Sequence, residues 1–258
     1  MNKIWNIIFL LLMTAYLIAS FSFTGRKMDS VICSGVQVRV IDSTLNRFVN
    51  SGDILRMLER NNIKTTGMPV SSINTLAIEE AIGNNSIVKD VKAYTTSSGI
   101  LHIDVSQRIP VVRIMNAYQQ SFYIDEEGAL MPWTGRFSAF VPVANGNIRF
   151  SLRGKKTINV RDSVIPVLSD LYSFAMLLKK DRFWDSQIEQ IYVNNKQEYE
   201  LVPRVGAHLI LLGPMENVRE KLENLKKLYE CGFGEVGWNG YSMINLKFRN
   251  QIVCTRRQ

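Results

Sequence analysis

The chain has 258 residues, of which 46% are hydrophobic and 21% charged; this excludes disordered and fibrous classes and is long enough to bury one or two cores without metals or disulfides. The formal charge of +8 falls to +5 when Lys3, Arg26 and Lys27, which flank the first apolar run, are set aside. The remaining cations are scattered among acids, so no nucleic-acid partner is expected, and an anionic membrane surface accounts for the bias as well.

Residues 4–23, IWNIIFLLLMTAYLIASFSF, carry no charge. At about 1.5 Å per residue, a helix of that length matches the hydrocarbon core of a bilayer. Leu17-Ile18-Ala19 and Ile18-Ala19-Ser20 each put a large residue where a signal-peptide cleavage site needs a small one. The expectation is therefore an uncleaved single-pass transmembrane helix, preceded by a tail of residues 1–3 and followed by a connector, 24–35. Lys3 on one side and Arg26 with Lys27 on the other leave its orientation nearly balanced by charge. Cys33, Cys231 and Cys254 form no CxxC spacing and read as isolated thiols packed as small hydrophobes. Bulky Ile32 directly before Cys33 argues against lipoprotein processing there.

VQVRVI, residues 36–41, alternates as a strand. Ser51 is placed to cap a helix that buries Ile54, Leu55 and Leu58, and Asn74 a second one that buries Leu76, Ile78 and Ile82, with Glu79 and Glu80 outward and Gly83-Asn84 as its stop. Residues 88–95 and 100–106 flank Ser-Ser-Gly and read as a β-hairpin. Ile103 and Val105 face inward, which leaves His102 on the solvated face rather than in a ligand set. The order is strand, helix, helix, strand, strand.

That order directly after an apolar anchor, ending in LHIDVSQRIPVVRI and followed by FYIDEEGALMP, resembles the POTRA domain and exit strand of the FtsQ/DivIB family of bacterial cell-division proteins. Arg108, Pro110, Asp125 and Gly128 stand at the family's motif positions, with Gln107 where an acid is commoner. Pro110 lacks an N–H and fixes φ, so it ends one strand and sets a new direction, placing a POTRA domain at 36–110 and a β-domain at 111–258. DEEG, residues 125–128, is a structural turn in which Gly128 supplies the positive φ, and its acids carry no glycosidase or metal chemistry.

Further on, Leu168, Leu171, Tyr172, Ala175 and Leu178 form one helical stripe, and Val218, Leu222, Leu225 and Tyr229 another. IEQIYVNN, EYELVPRV and HLILLG read as successive strands, the first two joined at residues 194–197. ELVPRVG, ILLG, the helix ending KLENLKKLYE, and INLKFRNQIV are similar in order to the family's C-terminal β-domain. The predicted fold class is α+β: one N-terminal transmembrane helix, a β-α-α-β-β POTRA domain, then a β-rich domain with two packed helices. INLKFRNQIVC, residues 244–254, alternates Ile244, Leu246 and Phe248 with Asn245, Lys247 and Arg249 and reads as the last strand of that domain.

Two motifs lead nowhere. GFGEVG, residues 232–237, matches GxGxxG, but a helix precedes it and a strand follows, the reverse of what a pyrophosphate site needs, so it reads as a helix stop and turn. His208 has no His, Cys or acidic partner at metal spacing and reads as structural. No GxSxG, HExxH or phosphate loop occurs, so no catalytic residue, cofactor or metal is expected.

The family resemblance implies a divisome scaffold in the cell inner membrane, N-terminus cytoplasmic and C-terminal domains periplasmic at the septum. It implies partners FtsB and FtsL, small bitopic division proteins, alongside other divisome components. Docking would be by β-strand addition, with Asn245, Leu246, Lys247, Phe248, Arg249 and Asn250 at the partner-binding edge. Phe248 matches a family aromatic and Asn250 a small polar position; Asn245 replaces an acid, and CTRRQ stands where some members place a Trp. A membrane-anchored envelope enzyme or glycan binder would need a polar cleft with paired carboxylates. An outer-membrane assembly or secretion factor would need several POTRA units and many membrane strands.

Overall fold

The computed structural model describes residues 2–29, 31–41, 47–152, 159–161, 165–249 and 251–257. The chain divides into two compact units, Met1–Gln107 and Arg108–Gln258.

The first unit opens with a continuous helix, α1, Asn2–Asp29, which contains the expected membrane span. Among the described residues, no helix is long and apolar enough to cross a membrane. The large apolar side chains of α1 from Trp5 to Ile18 that are described are all exposed.

Then follow β1 (Gly35–Val40), α2 (Ser51–Arg60), a 3-10 turn (Val70–Ser72), α3 (Thr75–Gly83), β2 (Val88–Thr95) and β3 (Ile100–Gln107). Sequential β2 and β3 pair antiparallel through a turn where Gly99 takes φ +82°, and β1 joins β3 in parallel, giving the order β1-β3-β2. The alternation of β3 buries Leu101, Ile103 and Val105 against Ile54 and Leu58 of α2 and Ile78 and Ile82 of α3. His102 is half-buried on the other face, stacked on the Tyr94 ring at 5.2 Å.

Local expectations need four corrections. Asn50, not Ser51, caps α2: its side chain accepts from Asp53 N while the Asp53 carboxylate accepts from Asn50 N, a closed capping box that leaves Ser51 inside the helix. Leu55 and Leu76 are exposed, because only Ile54, Leu58, Ile78 and Ile82 face the sheet. Glu79 is half-buried, and its carboxylate accepts from Ala93 N at 2.8 Å.

The second unit contains β4 (Pro110–Met115), β5 (Ser121–Asp125), β6 (Leu130–Pro132), β7 (Val143–Gly146), α4 (Pro166–Lys180), α5 (Arg182–Gln187), β8 (Ile188–Val193), β9 (Tyr199–Pro203), β10 (Leu209–Gly213), α6 (Val218–Lys227), α7 (Phe233–Val236), β11 (Tyr241–Asn245) and β12 (Val253–Arg256). Among the described residues, its nine strands form one sheet in the order β12-β11-β10-β9-β8-β7-β4-β5-β6. The β7 pairings with β4 and β8 and the β10–β11 pairing are parallel, and the rest antiparallel.

The apolar stripe of α4 and that of α6 both reach the core with alternate residues of the central strands, among them Ile114, Ile191, Leu201, Ile210 and Ile244. At the β8–β9 turn, the Asn194 side chain accepts from Lys196 N and Glu198 N while Gln197 takes φ +61°. In DEEG, Gly128 takes φ +83° and the buried Asp125 carboxylate accepts from Glu127 N at 2.9 Å, Ala129 N at 2.7 Å and Arg108 Nη1 at 2.7 Å. A five-residue π-helix, Leu228–Gly232, runs into α7, and Gly237 ends it at φ +76°. GFGEVG is thus a helix terminus.

One strand expectation is overturned. Residues 244–254 are not continuous: β11 ends at Asn245, the described residues 246–249 and 251–252 form a connector, and Val253–Arg256 returns antiparallel as β12. Of the three cysteines, Cys33 is buried and Cys254 half-buried as small hydrophobes, but Cys231 is exposed; all three are free.

Candidate functional site

The sheet edge formed by β12 is built from the connector outward. Leu246 continues the inward alternation of Ile244: it is buried, and its N–H donates to Leu211 O at 2.9 Å. The Asn245 side chain accepts from Lys247 N at 3.0 Å, which bends the chain out of the strand. Lys247 Nζ donates to Glu198 Oε2 at 2.5 Å, and this bond with the ammonium's charge holds the Glu198 carboxyl below its ordinary range. Phe248 and Arg249 are exposed on the connector, and Asn250 lies outside the described residues.

A groove of about 250 Å³ lies between the connector and α6, lined among others by Leu246, Phe248, Ile252, Lys221 and Asn224. Lys221 Nζ donates to Leu212 O at 2.9 Å and Pro214 O at 3.0 Å, and burial lowers its pKa. This lysine is occupied in holding the α6 entry against the end of β10.

The register decides what β12 offers. Arg257 N donates to Gly240 O at 3.0 Å, and Ser242 Oγ donates to Thr255 O at 3.3 Å, so the backbone groups of Thr255 and Arg257 face β11. By antiparallel alternation those of Cys254 and Arg256 face away from the sheet. Among the described residues, no side chain bonds to these outward groups, and β12 is the outermost strand at this end. Val253, Thr255, Arg256 and Arg257 are exposed, while Cys254 packs its thiol toward the core, where burial raises its pKa. Arg249, Arg256 and Arg257 make the surroundings cationic.

An aromatic cluster supports the end of this edge. His208 lies at the entry to β10 with 2% exposure; its Nε2 is 2.8 Å from Tyr229 Oη, and its ring meets Tyr229 and Phe233 edge to face. Phe233 in turn packs on Trp238 and Tyr241. Burial lowers the His208 pKa, with the nearby Arg257 charge acting in the same direction and the Trp238 carbonyl opposing it. Arg257 Nη2 donates to Ala207 O, which ties the residue after β12 back to this cluster.

The other end of the sheet is less open. β6 has three residues, its last is Pro132, which has no N–H, and the Arg113 guanidinium stacks 4.7 Å from the centre of the Trp133 ring that follows. Among the described residues, no group of three or more His, Cys, Asp or Glu could hold a metal.

The six residues expected at the partner edge are thus dispersed: Asn245 ends β11, Leu246 is core, Lys247 is paired, Phe248 and Arg249 project from the connector, and Asn250 is not described. The edge itself, Val253–Arg256, was legible only in part: Val253 and Cys254 fell within the single strand expected over residues 244–254, which hid the reversal, and Thr255 and Arg256 lay beyond it.

A family model for the FtsQ/DivIB C-terminal related region matches residues 109–255. The chain belongs to the FtsQ/DivIB family. A POTRA-like domain model matches residues 31–106, the first unit's sheet and helices. Comparison with curated proteins finds no match. Membership in FtsQ/DivIB carries a cell-division role, within a family of non-enzymatic scaffolds of the division septum that act through protein–protein contacts.

Proposed function

We propose that this FtsQ/DivIB member is a membrane-anchored divisome scaffold, not an enzyme, that recruits and holds FtsB and FtsL at the septum by adding a partner strand to β12. The observation that carries this reading is the open edge at Cys254 and Arg256. Outward backbone donors and acceptors give affinity to any extended segment, and side chains on the connector and groove set register. Arg249, Arg256 and Arg257 favour an acidic strand and repel a basic one.

Anchoring is supported by α1. A run of large exposed side chains from Ile7 to Met13 covers nearly two helical turns, and so every side of the helix. An apolar surface without a polar face is covered by lipid more readily than by one protein neighbour. The inner membrane is the proposed site, with the residues that follow α1 periplasmic. Resistance of the full chain to alkaline extraction from membranes checks the anchor; release into the soluble fraction would sink it.

The docking test is co-purification of the chain with soluble FtsB and FtsL segments. Arg256→Pro removes an outward donor without touching the β11 ladder and is expected to abolish capture, while Phe248→Ala weakens it. Capture by Arg256→Pro at wild-type level would eliminate β12 as the docking edge.

A further inference from the structure

The small sheet of the first unit also has two outer strands, and neither is open in the way β12 is. On β2, Thr96 N donates to Ile100 O at 3.0 Å. The even residues therefore face β3, and the backbone groups of Val91, Ala93 and Thr95 face outward. Ala93 is the middle of the three. Its N–H is taken by Glu79 Oε1 at 2.8 Å, an acceptor fourteen residues away on α3. Ile78 and Ile82, fully buried on either side of Glu79, hold the helix at the height that makes this reach possible.

At the opposite edge, Ile41 N donates to Val105 O at 3.0 Å, so the even residues of β1 face outward. There Ser51 Oγ, from the first turn of α2, donates to Val38 O at 3.4 Å. Just before β1, Cys33 N donates to Met68 O and Gly67 N to Cys33 O, both at 2.8 Å. Both flanks of this sheet are thus met by groups from the helices or the loop between them.

We propose that Glu79 is a latch on the β2 edge: its carboxylate occupies the central outward donor and keeps a second copy of the chain from adding there. A second copy is the fitting occupant because antiparallel self-pairing centred on Ala93 sets Ala93 against Ala93, Val91 against Thr95, and Lys92 against Tyr94. No like charges stand directly opposite one another in that register, so nothing in the side chains forbids it once the latch is gone. An unprotected edge of this kind pairs with its own copies unless a charge or a covering group intervenes. The latch would thereby leave strand addition to β12, independently of which partner docks there.

The test uses the full chain in detergent. Amide hydrogen exchange at Ala93 and sedimentation over a range of concentrations are measured for wild type, Glu79→Ala, Glu79→Asp and Glu79→Gln. Glu79→Ala is expected to exchange at Ala93 about tenfold faster or more, as loss of a charge-assisted bond implies, and to dimerise with rising concentration. Glu79→Asp, one methylene shorter, is expected to follow it while keeping the charge and the helix. Glu79→Gln retains an acceptor oxygen and is expected to match wild type. Wild-type protection of Ala93 in both shortened variants, or monomers throughout despite faster exchange, would overturn the proposal.

Discussion

The Arg108 guanidinium meets the Asp125 carboxylate at 2.7 Å, joining two positions that the sequence places seventeen residues apart on either side of a strand pair. Asp125 is 2% exposed and also accepts two backbone N–H groups of its own turn. Arg108→Ala leaves that carboxylate with only backbone donors and is expected to destabilise the second unit by about 2 kcal/mol; Asp125→Ala, which also unmakes the turn, should cost more. Urea midpoints for both variants check the order. An Arg108→Ala midpoint equal to wild type would mean that the ion pair adds nothing.

Stability should depend on pH through His208. Its pKa is lowered in the folded chain from an ordinary 6.5 because burial disfavours the charged ring. The unfolded state then binds more protons, so the contribution is complete above about pH 6.5 and is lost as pH falls through the lower folded value. Asp104, Asp181 and Glu198, whose pKa values are lowered first by hydrogen bonds from Arg39, Phe183 N and Lys247 respectively, act in the same direction but in a more acidic window. Denaturation between pH 5 and pH 8 should show a slope in wild type that His208→Phe flattens; an unchanged slope would assign the titration elsewhere.

Gly146 takes φ +99°, and a Cβ there would stand 2.3 Å from Val193 O. Gly146→Ala is therefore expected to cost about 2 to 4 kcal/mol, because both the backbone conformation and the approach of β7 to β8 resist it. Thermal unfolding measures this directly. Gly83→Ala is the control, since nothing lies within 4 Å of a Cβ at that site.

The Lys247–Glu198 pair is short but solvent-facing, with side chains 33% and 25% exposed. A double-mutant cycle is expected to give a coupling below about 1 kcal/mol. Lys247→Ala should then leave partner capture at β12 nearly intact, in contrast to Arg256→Pro. Loss of capture in Lys247→Ala would move the docking surface from the edge to the connector.

Periodicity carried the sequence reading a long way. The stripes through Leu168 to Leu178 and Leu222 to Tyr229, the hairpin over β2 and β3, the strands β8 to β10 and the positive φ of Gly128 all follow from local pattern and turn chemistry, which depend on near neighbours alone. The family resemblance rested on the same local order. Where reasoning by pattern failed, a distant partner decided. Alternation over residues 244–254 could not show that Asn245 bends the chain back, because Leu246 is held by Leu211 of another strand and Lys247 by Glu198 of another turn. Glu79 reads as a solvated helix residue until Ala93 is brought beside it.

The sequence by itself determined the types of the strongly periodic elements, their order along the chain and the apolar character of residues 4–23, because these are properties of spacing and composition. Only the tertiary structure decided which strand is outermost and which backbone groups face outward, since an edge is defined by the strand that is not next to it. That is a statement about strand order, which no local pattern contains.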